Sequence, residues 1–237
     1  MKLKNTLLAA TLISSSLALA EDIAIAPAPV ADDSIVGAGS EGRFTVGFMS
    51  YSGDSYELSG ATLAISMKDR NGEGMVTDGS LSLTGLSGDA SGTDITGAML
   101  GGNFLLGAEL GAPEGVIYVG PTATLTALNM DTIYVINNTI FQDTMTITTL
   151  LYGATGGLQY KVNLPFGSIT PWFFASYIGG TSNTETTFTS SSADVEFMTT
   201  TQFGFDIYFK DIGTSLSSMY QTTEGGNLLS LSATFHF

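Results

Sequence analysis

The sequence contains no cysteine, one histidine and only seven lysines and arginines among its 237 residues. The absence of cysteine excludes a disulfide scaffold and a thiolate metal site. With 22 acidic residues the net charge is −15. This charge argues against nucleic acid as a partner, because a nucleic-acid binder neutralises phosphates with Lys and Arg. Charged residues of either sign make up only 12% of the chain, which is too few for an ordinary soluble surface.

Long apolar runs are also missing, which excludes a helical membrane protein, since a spanning helix needs about 20 apolar residues. Residues 1–20 combine a basic start, a short apolar stretch interrupted by serines, and the small-residue site Ala18-Leu19-Ala20. This pattern predicts a cleaved secretory signal peptide. Residues 21–41 are rich in alanine, proline and acid and predict a flexible periplasmic lead-in, with a plug inside a barrel as the alternative.

From residue 42 to residue 237 the sequence alternates apolar residues with serine, threonine and glycine, which is the period of a β-strand. Turn signals divide this region into ten predicted strands, with eight or twelve as alternatives. Each is about long enough to cross a bilayer at a tilt. The predicted strands lie near 42–51, 57–68, 74–86, 95–109, 115–128, 148–161, 168–179, 199–210, 213–222 and 227–237.

The connections differ between the two ends of these strands. One side has short turns, whereas the other has longer polar segments at 87–94, 129–147 and 180–198. Outer-membrane barrels have short periplasmic turns and longer outer loops. The fold class predicted from 42–237 is therefore all-β, a transmembrane antiparallel up-and-down β-barrel. Its apolar face is expected to meet lipid, and its polar face is expected to line the lumen.

Aromatic residues near the predicted strand ends form two predicted girdles at the membrane interfaces. The girdle residues are Phe44, Tyr51, Tyr152, Tyr160, Trp172, Tyr177, Phe209 and Tyr220.

The last predicted strand ends on an aromatic residue, and its apolar positions are Leu229, Leu231, Ala233, Phe235 and Phe237. This pattern resembles the C-terminal signal of bacterial outer-membrane β-barrels. The hairpin at 152–161 and the segment at 169–172 are also similar to small porin-like barrels of the OmpA and OmpW type. The resemblance implies location in a Gram-negative outer membrane and recognition of the last strand by the barrel-insertion machinery. It implies no particular activity, because fold does not fix function.

A few charged residues fall on the polar face of the predicted strands, and these are expected to form a lumen cluster at the periplasmic end. They are Arg43, Lys68, Glu109, Lys161 and Asp206. A narrow barrel interior is packed with side chains, so such charges need partners. Two hypotheses remain open: an ion-pair cluster that gates the lumen, or a static set of salt bridges that only stabilises the barrel.

The predicted outer connections carry acidic residues and no basic ones. One interpretation is a cation-attracting surface that bridges through divalent ions to the phosphates of outer-membrane lipid and lipopolysaccharide. The other is a solvated acidic rim that keeps the surface hydrated.

Catalytic chemistry is not predicted. The single histidine, His236, is the penultimate residue at the periplasmic end, so no Ser-His-Asp arrangement is expected at the outer rim. The Asp69-x-Asn71-x-Glu73 run resembles the start of a calcium loop but is interpreted as a hairpin turn. We expect no enzyme, no cofactor and no resident metal.

Three functions remain after these exclusions. The first is a porin-like barrel that passes ions or small solutes, or serves as an envelope component. The second is a non-conducting structural or surface-interaction barrel whose acidic loops, chiefly 129–147 and 180–198, form the contact surface. The third is a soluble secreted β-barrel binder.

Overall fold

The computed structural model describes residues 39–53, 56–90, 93–110, 114–136, 139–187, 189–223 and 225–237. The predicted signal peptide at 1–20, and the lead-in up to residue 38, lie outside the described residues. The chain forms eleven strands. They are β1 (Gly39–Gly53), β2 (Tyr56–Arg70), β3 (Met75–Ala90), β4 (Thr93–Glu109), β5 (Gly115–Ile136), β6 (Thr139–Tyr160), β7 (Val162–Leu164), β8 (Gly167–Glu185), β9 (Ser190–Phe209), β10 (Thr214–Thr223) and β11 (Gly226–His236).

Ten of these strands close into an antiparallel barrel. Each strand pairs with its neighbours in sequence, β1 pairs with β11, and β6 pairs directly with β8. The three-residue β7 pairs only with β8 and continues β6 in the same register, since Gln159 faces Trp172 and Val162 faces Ile169. Pro171 lies opposite Tyr160, where the pairing with β8 is interrupted, and it has no N–H to donate, which accounts for the interruption. The predicted ten-stranded barrel is therefore confirmed.

The two ends of the barrel have different connections. At one end, which we call the turn end, short connections join β2 to β3, β4 to β5, β7 to β8 and β9 to β10, and Gly39 and Phe237 lie there. We call the other end the hairpin end. Strands β5 and β6, which extend to it, are each 22 residues long, about twice the 9–11 residues of a membrane-spanning strand.

The segments predicted as outer loops are mostly paired strand, and that part of the prediction is wrong. Strands β5 and β6 stay in register up to the pair Ile136–Thr139, and β8 and β9 stay paired up to Glu185–Ser190. Threonine and serine are abundant in 129–147 and 180–198. Their polar composition suggests loops, but threonine also favours strands. A bulge between Ile178 and Gly180 lets β9 bend where the long hairpin begins.

Side chains alternate between the inside and the outside of the barrel wall. Large apolar side chains such as Leu63, Phe104 and Leu231 are about half exposed on the outside. Beyond the Leu125–Leu150 pair the described outer surface of β5 and β6 becomes polar, where Asn129 bonds Thr146 and Asp131 bonds Thr144. No helix among the described residues is long and apolar enough to cross a membrane.

Candidate functional site: the barrel interior

The interior at the turn end is a layer of buried charges. The Arg43 guanidinium bonds the Asp78 carboxylate at 2.7 Å, and their side chains are 0% and 4% exposed. Lys68 lies opposite Asp78 in the β2–β3 register, and its ammonium sits 5.6 Å from the centre of the Tyr118 ring. Burying these charges is tolerable only because each meets an opposite charge or a polarisable face.

A second ion pair stands at the rim of this layer. The Arg70 guanidinium bonds the Glu109 carboxylate at 3.0 Å, joining β2 to β4. Lys161 and Asp206 are buried on the far side of the interior, where Asp206 faces Thr170 across the β8–β9 pair. The structure thus places all five residues of the predicted lumen cluster inside the barrel at the turn end.

The prediction missed four members of this layer: Glu41, Arg70, Asp78 and His236. Strand alternation could have found them. Glu41 is two residues from Arg43, and Arg70 is two residues from Lys68, so each points to the same side as its neighbour. Asp78 faces Lys68 across the hairpin that joins β2 to β3. With them included, the layer holds four cations and four carboxylates among the described residues, so its formal charge is balanced when His236 is neutral.

The ninth member, His236, links the two strands that flank it. Its Nδ1 is 2.6 Å from Glu41 Oε1 on β1, and its Nε2 is 3.0 Å from Ser215 Oγ on β10. The Tyr208 ring stands edge-on to the imidazole at 5.0 Å. This is the connectivity of nucleophile, base and orienting carboxylate found in acyl-transfer enzymes. However, Ser215 has no exposed surface, so no substrate reaches its hydroxyl in this structure.

Above the charges lies a belt of serine, threonine and glutamine. Hydroxyl pairs bridge neighbouring strands, as between Thr45 and Thr234 at 2.8 Å, and the Gln202 amide donates to Gln221 Oε1 at 2.8 Å. Both side-chain polar atoms of Asn103 are buried and make no hydrogen bond to described residues. Buried amides of this kind take ordered water as a partner.

At the hairpin end the interior is apolar, contrary to the expectation that the polar face would line the whole lumen. Tyr51 and Tyr56 stack with ring centres 5.4 Å apart. One continuous core surrounds them and extends down to Val116 and Phe174, and its hairpin-end members include Met49, Leu58, Leu86, Ile95, Met99, Leu128, Met145, Ile147, Met219 and Leu228. Polar residues face inward near the turn end, and mainly apolar residues face inward near the hairpin end. Alternation alone therefore does not fix which residue type faces the interior.

Two predicted girdle residues are inside the barrel, which corrects that part of the prediction. Tyr51 is 1% exposed and Trp172 is 5% exposed. Tyr51 lies an even number of residues from the inward Arg43, and Trp172 lies an even number from the inward Thr170. Side chains spaced in this way point to the same side of a strand, so both point inward. Of the remainder, Phe44, Tyr152, Tyr160 and Tyr177 are exposed on the outside, and Phe209 and Tyr220 are half-buried.

The last strand carries the predicted assembly signal on its outer face. Leu229, Leu231 and Phe235 are about half exposed, and Ala233 shares their parity. The Phe237 amide and carbonyl both bond Gly42, so the final residue extends the β1–β11 closure.

The long hairpins are fastened together by Asp143. Its carboxylate accepts hydrogen bonds from the Thr187 hydroxyl at 2.6 Å and the Thr187 amide at 3.0 Å, which ties β6 to the β8–β9 turn. The Thr187 hydroxyl is the main reason that the pKa of Asp143 lies below its ordinary value of 3.8.

The described acidic residues of the hairpin end are mostly exposed, for example Asp89, Asp94, Asp131 and Glu185. No group of three or more metal-binding side chains converges anywhere in the described residues. Asp54 and Glu224, two further acidic residues of the predicted outer connections, lie outside the described residues.

The chain is similar to solved structures of bacterial outer-membrane proteins. The translocator domain of the autotransporter NalP from Neisseria meningitidis matches with a TM-score of 0.51 and 11% identity, over 99% of this chain and 98% of that chain. An outer membrane channel from Pseudomonas putida F1 scores 0.45 at 10% identity, covering 89% and 100%. Neisserial surface protein A scores 0.37 at 14% identity, covering 85% and 98%.

No family model and no curated relative matches the chain. The class that the fold defines is the closed ten-stranded antiparallel barrel of bacterial outer-membrane proteins. At these identities the likeness concerns the fold and carries no activity.

Proposed function

We propose that this protein is an integral barrel of a Gram-negative outer membrane that holds its lumen closed and displays two long, acidic hairpins at the cell surface. The outward apolar belt is the reverse of what a soluble barrel binder would present to water. This makes the second of the three functions the best supported. We further propose that it acts without catalysis.

One observation carries the proposal: many polar residues of the inner wall have no accessible surface, although inward serines such as Ser82, Ser217 and Ser232 keep some. Thr170, Thr200, Gln202, Ser215, Gln221 and Thr234 all have side chains that are 0% exposed. A water-filled channel would leave its lining residues accessible. Barrels of about eight strands are filled by side chains, and aqueous pores come with about 16–18.

The charges also favour closure over selective conduction. Ion channels select with rings of one charge sign. Here cations and carboxylates alternate in the layer and pair with each other, as in Arg43–Asp78 and Arg70–Glu109. Such pairing consumes the charge that would attract a permeant ion.

Surface display is favoured by the length of the hairpins. About half of each of β5 and β6 extends past the Leu125–Leu150 pair, and Asp143 fixes this extension to the β8–β9 hairpin. A surface that is fixed in this way is suited to contact with a partner. Outer-membrane lipid, lipopolysaccharide and bridging divalent cations are the partners that the acidic outer residues would meet, and the barrel-insertion machinery would read β11.

The experiment is single-channel recording of the refolded protein in planar bilayers, with heat-modifiable gel migration of the same sample as proof of a folded barrel. We expect faster migration before boiling and no discrete current steps. Discrete cation-selective steps would overturn closure and establish the porin-like function. Steps that change in Lys161→Ala or Asp206→Ala would assign gating to the charged layer.

A further inference from the structure

The outer wall of the barrel contains a shallow depression that spans β3 to β6. Its floor is a pair of small outward residues, Gly102 on β4 and Ala123 on β5, which face each other in the strand register. The same row continues to Leu81 on β3 and to Tyr152 on β6, which form the two sides. Small residues thus stand between two large ones, and the wall is indented where they meet.

The depression is open to the outside and is bordered by larger side chains above and below. The next row towards the hairpin end consists of leucines only, with Leu83, Leu100, Leu125 and Leu150 in register, and the last three line the rim. On the opposite side Phe104 forms the lower edge. The volume of the depression is about 660 Å³.

Pro121 shapes the lower part of this depression. The β4–β5 ladder runs to Asn103–Thr122 and resumes at Leu106–Val119 without a change of register, so two rungs are missing beside Pro121. Proline has no N–H and removes a ladder bond. Pro121 itself faces outward and lines the cavity.

Small outward residues also face each other elsewhere on the wall, as Gly156 faces Ala175 and Ala61 faces Gly85. The ladders beside those pairs are unbroken, whereas the β4–β5 ladder lacks two rungs beside the floor of the depression. The interrupted ladder, and not the small residues alone, therefore distinguishes the β3–β6 sector.

We propose that this depression is a binding site for one acyl chain of a membrane lipid. The inference rests on the proposed location in a membrane, which makes hydrocarbon the medium around the belt. The outward side chains that line the site are apolar apart from the Tyr152 hydroxyl, so a chain is suited to it and a charged headgroup is not.

A second copy of the barrel fits the site poorly. The depression spans four strands, which makes it about 14 Å wide at a spacing of about 4.8 Å between strands. Along a strand it covers about five residues, or about 17 Å. Stable protein interfaces bury about 800 Å² per partner, several times this footprint. A flexible chain needs no such area, and it can follow the curved floor between the leucine rim and Phe104.

The test is native mass spectrometry of the barrel inserted into dimyristoylphosphatidylcholine vesicles and then extracted into mild detergent. We expect one lipid retained per barrel. Ala123→Phe fills the floor and should lower the retained fraction at least fivefold. Ala175→Phe makes the same change on the outward face of β8 and should leave retention unchanged.

Each other result is informative. Equal loss or equal retention in the two variants, or a wild-type barrel that inserts but retains no lipid, overturns the site. A barrel dimer that Ala123→Phe disrupts would assign the depression to a second copy. Failure of the wild type to enter vesicles at all would instead reject the proposed function. If Ala123→Phe does not fold, Ala123→Leu makes a smaller filling of the same floor.

Discussion

The two halves of the barrel interior solve the same problem by different chemistry. At the turn end, charges such as Arg43 and Asp78 are buried in pairs. At the hairpin end, apolar side chains such as Leu58 and Ile95 fill the space. A charged half loses stability when one partner is removed, whereas an apolar half loses it when volume is removed. A barrel interior can therefore be filled by more than one type of residue.

The largest expected effect is on the charged half. Asp78→Asn removes the carboxylate that meets Arg43 and faces Lys68, which leaves two cations close together in a buried layer. Breaking a buried pair costs about 3–5 kcal/mol. Urea unfolding in detergent should show this as a lowered midpoint. Asp69→Asn is the control, because Asp69 lies on the exposed outer side of β2 and bonds Ser40 there. Equal lowering of the midpoint in both variants would show that the buried ion pair is no more important to stability than the exposed contact.

A somewhat smaller effect is expected in the apolar half. Leu58 is 2% exposed, and Leu58→Ala should destabilise the barrel by about 2–5 kcal/mol through lost contacts and a residual cavity. Leu63→Ala, on the outer face of the same strand, should cost less, because lipid or detergent fills the space. Unfolding midpoints of the two variants measure the difference. Equal midpoints would show that the hairpin-end interior is not tightly packed.

A pH-dependent effect should be confined to the hairpin end. A carboxyl whose pKa is lower in the folded state contributes stability at pH values above its ordinary pKa and loses it as pH falls through the lowered value. The Asp143 contact with Thr187 should therefore persist at neutral pH and weaken below about pH 4.

Hydrogen exchange measures this change, as the protection factor of the Thr187 amide at several pH values. Protection should fall in acid while that of the Gly42 amide, at the turn end, is retained. Asp143→Asn should remove the pH dependence. Loss of protection at both ends together would mean that acid unfolds the whole barrel instead.

The last prediction is that Ser215 shows no chemical reactivity in the folded barrel. Ser215 is hydrogen-bonded to His236 but has no exposed surface, so a fluorophosphonate probe should leave it unlabelled in the folded barrel. Mass spectrometry of the digested protein measures labelling. Labelling that His236→Gln abolishes would show that the buried relay is reached by reagents, and would contradict the proposal that the protein acts without catalysis.

The strand periodicity and the turn signals predict the barrel, its ten strands and five of the nine members of the charged layer at the turn end. The errors concern the direction of side chains and the length of the hairpins. Tyr51 is predicted in a girdle although its parity matches that of Arg43, because that prediction follows residue type instead of alternation. The polar segments 129–147 and 180–198 are predicted as loops because the pairing of long threonine-rich strands depends on partners distant in sequence.

The alternation follows from the sequence alone: a period of two fixes the strand and separates its two faces, because successive side chains of a strand point to opposite sides. Which residues meet across the closed barrel depends on the tertiary structure. The relay from Glu41 through His236 to Ser215 joins positions up to 195 residues apart, and the Gly102–Ala123 floor appears only when β4 lies beside β5. Those contacts depend on closure and register, which no local pattern specifies.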